Sequence, residues 1–552
     1  MTLPAKRHFL QIGTQTVHYR VQGQGPVIVM LHDSPRSSRL HLPTMQRLAD
    51  RFTLVALDTP GYGNSSPLDI PDPRIENFAD SLNTVLCTLG IERAPLYAPH
   101  TGAKIALDYA ARYGHPARLI LDGLSIPTEP TPEDFIQTYM QPFEKDPAGA
   151  FIAKKWTHIR DMTRWFPWFE ASTATRIPSE YPAEWMQDYT IDFLSAGPHY
   201  SGAYAAAMRY PPLPALEAIT VPTIVGARED DVLYSSLARV PADRNAALAI
   251  DPLPAEPDAW FDWLRTRFAE GAEAATIAFV PPVSDPGRRV YVDGPAGQVL
   301  VHRRGKPGRT PLLLLGAPTP KQALHLADVL PNTLPVLVPE LPGFGESDAL
   351  DTPSLAGFVQ TLTAVIDTLG GGRVDLLARD LATPLALALV QAHPDKIGRL
   401  VLDGGLAAGS MPPLSDLDRL VPDLPFCSAG SHLMQAWHML RDSEASWPWY
   451  ETGIAAQRQL EPLLGADALY DAFLGMLKQP AHYGDSVRAA VEGAHAAPSA
   501  ELPHPCLVFT HDRDPAYLGT EQAAAGLSAA VFTGRPAQME DAVPDIVDFL
   551  KV

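Results

Sequence analysis

Cysteine is scarce: three occur in 552 residues, Cys87, Cys427 and Cys506, far apart, in apolar runs and without C-x-x-C spacing. That excludes a disulfide framework or a cysteine zinc site and fits free thiols in a reducing cytosol. No stretch approaches 18 uninterrupted apolar residues, and the opening MTLPAKRHFLQIG has no apolar signal-peptide core. Neither membrane spanning nor secretion is therefore expected, and the expectation is a cytoplasmic protein. Basic residues are outnumbered 43 to 63, for a formal net charge of −20, which opposes nucleic acid and anionic membranes as partners. No His/Cys/Asp cluster has metal-ligand spacing. The glycine-rich DTPGYGNSS and ELPGFGESD continue into neither a P-loop nor a helix-opening G-x-G-x-x-G. No metal and no cofactor are expected, the partner class left is a small-molecule substrate, and a homo-oligomer stays open.

The chain is 46% hydrophobic and too long for one ordinary domain. Its second half repeats the first. VIVMLHDSP, FTLVALDTPGYGNSS, LYAPHTGAKIALDYAARYGHPARLILDGLS and VPTIVGAREDDVL recur in order as LLLLGAPTP, LPVLVPELPGFGESD, LLARDLATPLALALVQAHPDKIGRLVLDGGL and HPCLVFTHDRDPA. Gly343 follows Gly61 by 282 residues, Asp380 follows His100 by 280 and Asp514 follows Asp231 by 283. The join is expected around 270–290, where helical periodicity gives way to Pro and Gly. The expected domains are 1–280 and 288–552. Each alternates short apolar runs with helical patterns, which predicts βαβ units and a mainly parallel α/β sheet flanked by helices. In each the alternation pauses for a Trp-rich helical block, at about 126–215 and 405–495, expected to be a cap over the strand ends.

Strand, tight turn among small residues, helix, then RLILDG and a late strand ending in Asp resembles the α/β-hydrolase superfamily over nearly the whole of both halves. In that family the nucleophile sits on a strained strand-to-helix elbow, G-x-S-x-G. Aligning the elbow helices puts Ala98 and Gly102 on the two glycines and His100 on the serine; in the second half Ala378 and Ala382 flank Asp380. PHTGA with its following cap also resembles a branch with an HTG-type elbow. LHDSPRSS matches the family's HGxP oxyanion loop in His32 and Pro35, with Asp33 replacing Gly, so the resemblance implies that backbone N–H groups at Asp33 and Thr101 face an oxyanion. LGAPTPKQ keeps Pro318 and loses the histidine.

The resemblance also implies a histidine after the last strand, near LAIDPLPAEPDAWFDWL and VFTGRPAQMEDAVPDIVDFL, and neither stretch contains one. A Ser-His-Asp triad and a recycled Asp nucleophile both need it. His100 is then a candidate base or nucleophile, with a pKa expected to be lowered by the positive helix end. Its orienting acid is Asp231, preferred over Asp122. A cap histidine, His199 or His482, is the other candidate proton carrier. Asp380 is the second half's candidate nucleophile. Trp156/Trp437, Arg160/Arg441, Trp168/Trp449 and Tyr200/Tyr483 recur between the caps, either as lid anchors or as an aromatic substrate wall.

Together these imply a cofactor-independent hydrolase-fold enzyme that hydrolyses or cleaves a small apolar or aromatic carbonyl compound without a serine triad, with the first half favoured as the active one. A lyase or isomerase on the same scaffold, and a catalytically dead small-molecule binder, are the alternatives.

Overall fold

Four short apolar runs explain the centre of the first half: VIVM, TLVAL, LYAP and LILD are buried along their whole length, the pattern of parallel strands covered on both faces. The computed structural model describes residues 4–177, 181–274, 279–282, 287–496, 503–524, 527 and 529–551. The expected join therefore lies partly outside the described residues, at 275–278 and 283–286. Two compact units emerge: Met1–Glu144 with Lys154–Gly287, and Arg288–Val552 with Lys145–Ala153.

The first unit is built on β1 (Lys6–Ile12), β2 (Gln15–Gln22), β3 (Val27–Met30), β4 (Thr53–Leu57), β5 (Leu96–Pro99), β6 (Leu119–Asp122), β7 (Thr223–Arg228) and β8 (Leu248–Leu253). Their order is β1-β2-β4-β3-β5-β6-β7-β8. β1 and β2 run antiparallel at one edge and the rest are parallel. Helix α1 (His100–Tyr113) leaves β5 directly. The cap between β6 and β7 contains α2 (Ala150–Met162), α3 (Ala183–Ala196) and α4 (Ser201–Arg209), and α5 (Pro257–Ala274) closes the unit. Trp263, Leu264 and Phe268 of α5 join Met30, Leu54, Ala56 and Ile120 in one core cluster.

The second unit repeats the plan with β9 (Arg289–Gly294), β10 (Gly297–Arg304), β11 (Leu312–Leu315), β12 (Val336–Pro339), β13 (Val374–Arg379), β14 (Ile397–Asp403), β15 (Cys506–Thr510) and β16 (Ala530–Gly534). The strand order is the same, β9-β10-β12-β11-β13-β14-β15-β16. Helix α6 (Thr383–Ala392) follows its elbow, and α7 (Ser431–Ala445) and α8 (Ala466–Lys478) lie in its cap. The two-sheet α/β architecture matches the fold implied by the resemblance. No helix among the described residues is long and apolar enough to cross a membrane.

Candidate active site

The chain turns from β5 into α1 within one residue, and that residue is His100, at φ +43°. A left-handed conformation costs a non-glycine residue about 1–2 kcal/mol and throws its side chain out of the turn. Small neighbours make room for it: Ala98 is fully buried, and a Cβ on Gly102 would stand 2.6 Å from His32 O. Asp380 has the same geometry in the second unit, φ +47°. Both elbows thus keep the strained turn with different side chains.

His100 Nε2 meets Asp231 Oδ2 at 2.8 Å. Asp231 follows the end of β7, and it also accepts from Leu233 N at 2.7 Å, which fixes its carboxylate. Gly123, after β6 and at φ +63°, leaves the necessary space: a Cβ there would lie 2.6 Å from His100 Cδ2 and 2.9 Å from Asp231 Oδ2. Asp122 is engaged elsewhere, accepting from Tyr97 Oη at 2.8 Å and Trp260 Nε1 at 2.7 Å. Of the two candidate acids, Asp231 is the one bonded to the ring. Trp260 stands in the stretch after the last strand where the resemblance implied a histidine.

The electrostatics reverse one expectation. Burial by itself lowers the pKa of His100, but the charge of Asp231, its hydrogen bond, and the carboxyls of Asp33 and Asp122 raise it to about 9. Three nearby acids outweigh the partial charge of a helix end, which is only about half a unit. Asp231 moves the other way: burial opposes its charge, but the imidazole holds it below the usual carboxylate range. In the neutral ring Nε2–H donates to Asp231 and Nδ1 carries the lone pair. The His100 side chain is 36% exposed, and Nδ1 has no protein partner among the described residues.

The loop after β3 lies over this dyad. His32 is a strut rather than a substrate contact: Nε2 accepts from Thr59 N at 2.9 Å, so Nδ1 donates to Asp33 O at 2.7 Å, and the ring is buried. Among the described residues neither Asp33 N–H nor Thr101 N–H finds a protein acceptor. The Asp33 carboxyl, which no glycine-bearing loop would have, is pushed up by burial, and its Oδ1 is buried without a partner. The loop is clamped to the cap through Asp192 of α3, which accepts from Arg36 Nε at 2.8 Å and Ser37 Oγ at 2.7 Å.

Several of the shared cap residues are tied to main-chain carbonyls. Trp168 Nε1 donates to Tyr139 O at 3.0 Å and Trp449 Nε1 to Leu420 O at 2.8 Å. Tyr200 Oη donates to Gln141 O at 2.6 Å, and Tyr483 Oη to Pro422 O. These acceptors sit at the repeat's own spacing of 281 residues. Trp156 and Trp437 are buried. Arg160 lies over the Trp156 ring, and Arg441 donates to Pro147 O within the second unit. The cap histidines do not complete the dyad: His199 is exposed and backed by the Gly61 turn, and His482 is 49% exposed and bonded to Asp485.

In the second unit no histidine ring among the described residues bonds the elbow acid. Asp380 Oδ2 accepts from Arg458 Nη1 at 3.2 Å and has Arg379 Nε at 3.5 Å. Asp514, at the position of Asp231, accepts from Arg458 Nε at 3.1 Å and Gln459 N at 2.8 Å. Asp403 takes Arg535 Nε at 2.9 Å and Tyr517 Oη at 2.6 Å. Above Asp380 lies a cavity of about 140 Å³. Arg379, Arg458 and this cavity escaped the sequence reading, because an arginine in DLLARD or AAQRQ belongs to no motif.

A family model described as alpha/beta hydrolase fold matches residues 26–194 and 322–425. A 2-(acetamidomethylene)succinate hydrolase of Mesorhizobium japonicum is 34% identical over 115 residues, 20% of this chain and 40% of that protein. A fluoroacetate dehalogenase of Burkholderia sp is 30% identical over 157 residues, 28% of this chain and 47% of that protein. The chain thus spans under half the length of these curated relatives. Among solved structures, the haloalkane dehalogenase DatA of Agrobacterium tumefaciens C58 is 19% identical, with a TM-score of 0.39, covering 49% of this chain and 98% of its own.

Proposed function

Both halves carry the α/β-hydrolase fold, and from that premise we propose that the first half is a cofactor-independent enzyme that hydrolyses or cleaves a small, apolar or aromatic, carbonyl-bearing compound, with His100 as its proton carrier. The observation that carries this reading is the 2.8 Å bond from His100 Nε2 to Asp231 on a strained elbow, with Nδ1 left unbonded. Asp231 orients the ring and stabilises the imidazolium formed when Nδ1 takes a proton from water or substrate. The N–H groups of Asp33 and Thr101 supply the oxyanion site. The hydrolase and dehalogenase among the relatives support the hydrolytic class.

His100→Ala removes the proton carrier and abolishes turnover while the far-ultraviolet circular dichroism stays native; a variant that still turns over disposes of this reading. The pH profile tests the same residue independently. With a pKa near 9 only a small fraction of the ring is unprotonated at pH 7, so kcat/KM rises about tenfold per pH unit toward pH 9 and then levels. A profile that falls over that range assigns the work to the imidazolium instead.

A lyase or isomerase is the second reading, and Asp33 favours it. Its carboxyl is buried near the His100 ring with Oδ1 unpartnered, and a second titratable group beside a histidine base suits proton movement next to a carbonyl. Turnover in ¹⁸O-water separates the two, because label enters the product only by hydrolysis.

A further inference from the structure

We propose that the second half is a small-molecule binding site that performs no chemistry, and that its ligand is an uncharged compound the size of a single ring. The proposal stands on that half's own residues and does not depend on how the first half works. Its elbow keeps the left-handed turn that displays a side chain, but the displayed group, Asp380, is held by two guanidinium groups, Arg458 at 3.2 Å and Arg379 at 3.5 Å. The late acid that would orient a proton carrier, Asp514, is filled by Arg458 and the Gln459 N–H. An arginine never gives up its proton under ordinary conditions and has no lone pair to offer. The place next to the elbow is thus taken by a group that cannot shuttle protons, so an ester formed once on the unpartnered Asp380 Oδ1 would meet no histidine among the described residues to activate water against it, and no turnover would follow.

What the same rearrangement leaves is a space. The cavity of about 140 Å³ is bounded by Leu420, Met439, Leu440, Trp447, Trp449 and Met476 above the polar floor. An apolar cavity of about 150 Å³ takes up benzene, so this one holds one ring and little more. The buried charges around it cancel in place. Lys321 is paired with Glu444, which also takes Gln322 Nε2, and the two arginines face Asp380 and Asp514. Among the described residues that line it no cation is left over for a carboxylate ligand, and the one carboxylate without a cation, Glu461, is exposed to water, where it attracts an ammonium only weakly. The indole N–H groups of Trp447 and Trp449 are already spent on Ser410 O and Leu420 O, so both rings present apolar faces. An uncharged ring, with at most a hydroxyl or carbonyl toward the Asp380 floor, is the chemistry that fits.

Phenol is the probe, with benzoate and benzylamine as its charged counterparts, and calorimetric titration of the full chain carrying His100→Ala is the measurement. Phenol gives one saturable site, both charged rings bind at least tenfold more weakly, and Leu440→Trp, which fills the cavity, weakens phenol at least tenfold. Should Leu440→Trp fail to fold, a crystal of the full chain soaked in 4-bromophenol locates the site by the bromine's anomalous signal, expected between Leu440 and Trp449. No saturable phenol binding, benzoate or benzylamine binding as tightly as phenol, undiminished binding in folded Leu440→Trp, or the absence of bromine from this cavity each overturns the proposal. So does release of phenol from phenyl acetate by the His100→Ala chain that stops when Asp380→Asn is added. Loss of turnover in His100→Ala speaks only to the first half, so failure of either reading leaves the other standing.

Discussion

Gly123 sits at φ +63°, with His100 and Asp231 both inside 3 Å of where its Cβ would be. Gly123→Ala strains the backbone and pushes the two side chains apart. A displacement of about 1 Å at a catalytic pair costs on the order of 100-fold, so the expected loss is in kcat, read by steady-state kinetics, with the protein still folded. The dyad also sets the sign of an effect on stability. The folded pKa of His100, about 9, lies above the unfolded value. The favourable pairing is therefore complete below about pH 6.5 and is lost as pH rises through 9. The urea midpoint of the native chain falls over that window, and the corresponding fall is smaller in His100→Ala. The pairing of His100 with Asp231 was legible because both residues stand at family positions. The direction of the shift was not, because it is set by how closely the Asp231 carboxylate meets the ring, with Asp33 and Asp122 adding to it, and those distances exist only in the folded chain.

Among the elements, α3 and the loop after β3 are bound through one carboxylate. Asp192 is fully buried and holds Arg36, itself 6% exposed at the side chain. Asp192→Ala leaves Arg36 buried without its partner, a change worth about 3–5 kcal/mol. Urea unfolding should show a loss of that order, with kcat falling as the loop that carries the Asp33 N–H loosens. A milder pair tests the caps: Tyr200→Phe and Tyr483→Phe each remove one hydrogen bond to a backbone carbonyl and cost about 1 kcal/mol. The recurrence of Trp and Tyr in the two caps was visible in the sequence, but recurrence alone suits an anchor and a substrate wall equally well. What separates them is where the indole N–H and phenol O–H point, and their acceptors are main-chain carbonyls that carry no residue signature. The mainly parallel sheet was easier to read, since wholly apolar runs such as VIVM and LLLL have one stable place, the centre of a parallel sheet.

Over the whole molecule the excess of acid is the property with the longest reach. A net charge of −20 makes the folded chain repel itself, and salt shortens the range of that repulsion from about 30 Å at 0.01 M to about 8 Å at 0.15 M. The thermal midpoint should rise as sodium chloride is added over that range. The nearly constant offset between halves made the repeated plan of the two sheets legible, whereas the difference between the two elbows could be seen only as a change of letters. Folded, it is a change of partners, and this makes the history of the second half hard to run backwards. Asp380→Ser would put the usual nucleophile of a G-x-S-x-G elbow into a turn that has the shape to use it, but the hydroxyl would face Arg458 where a proton acceptor is required. If the second half performs no chemistry, as proposed, a path to it needs several simultaneous substitutions with no benefit at any one of them, and selection acts as a ratchet.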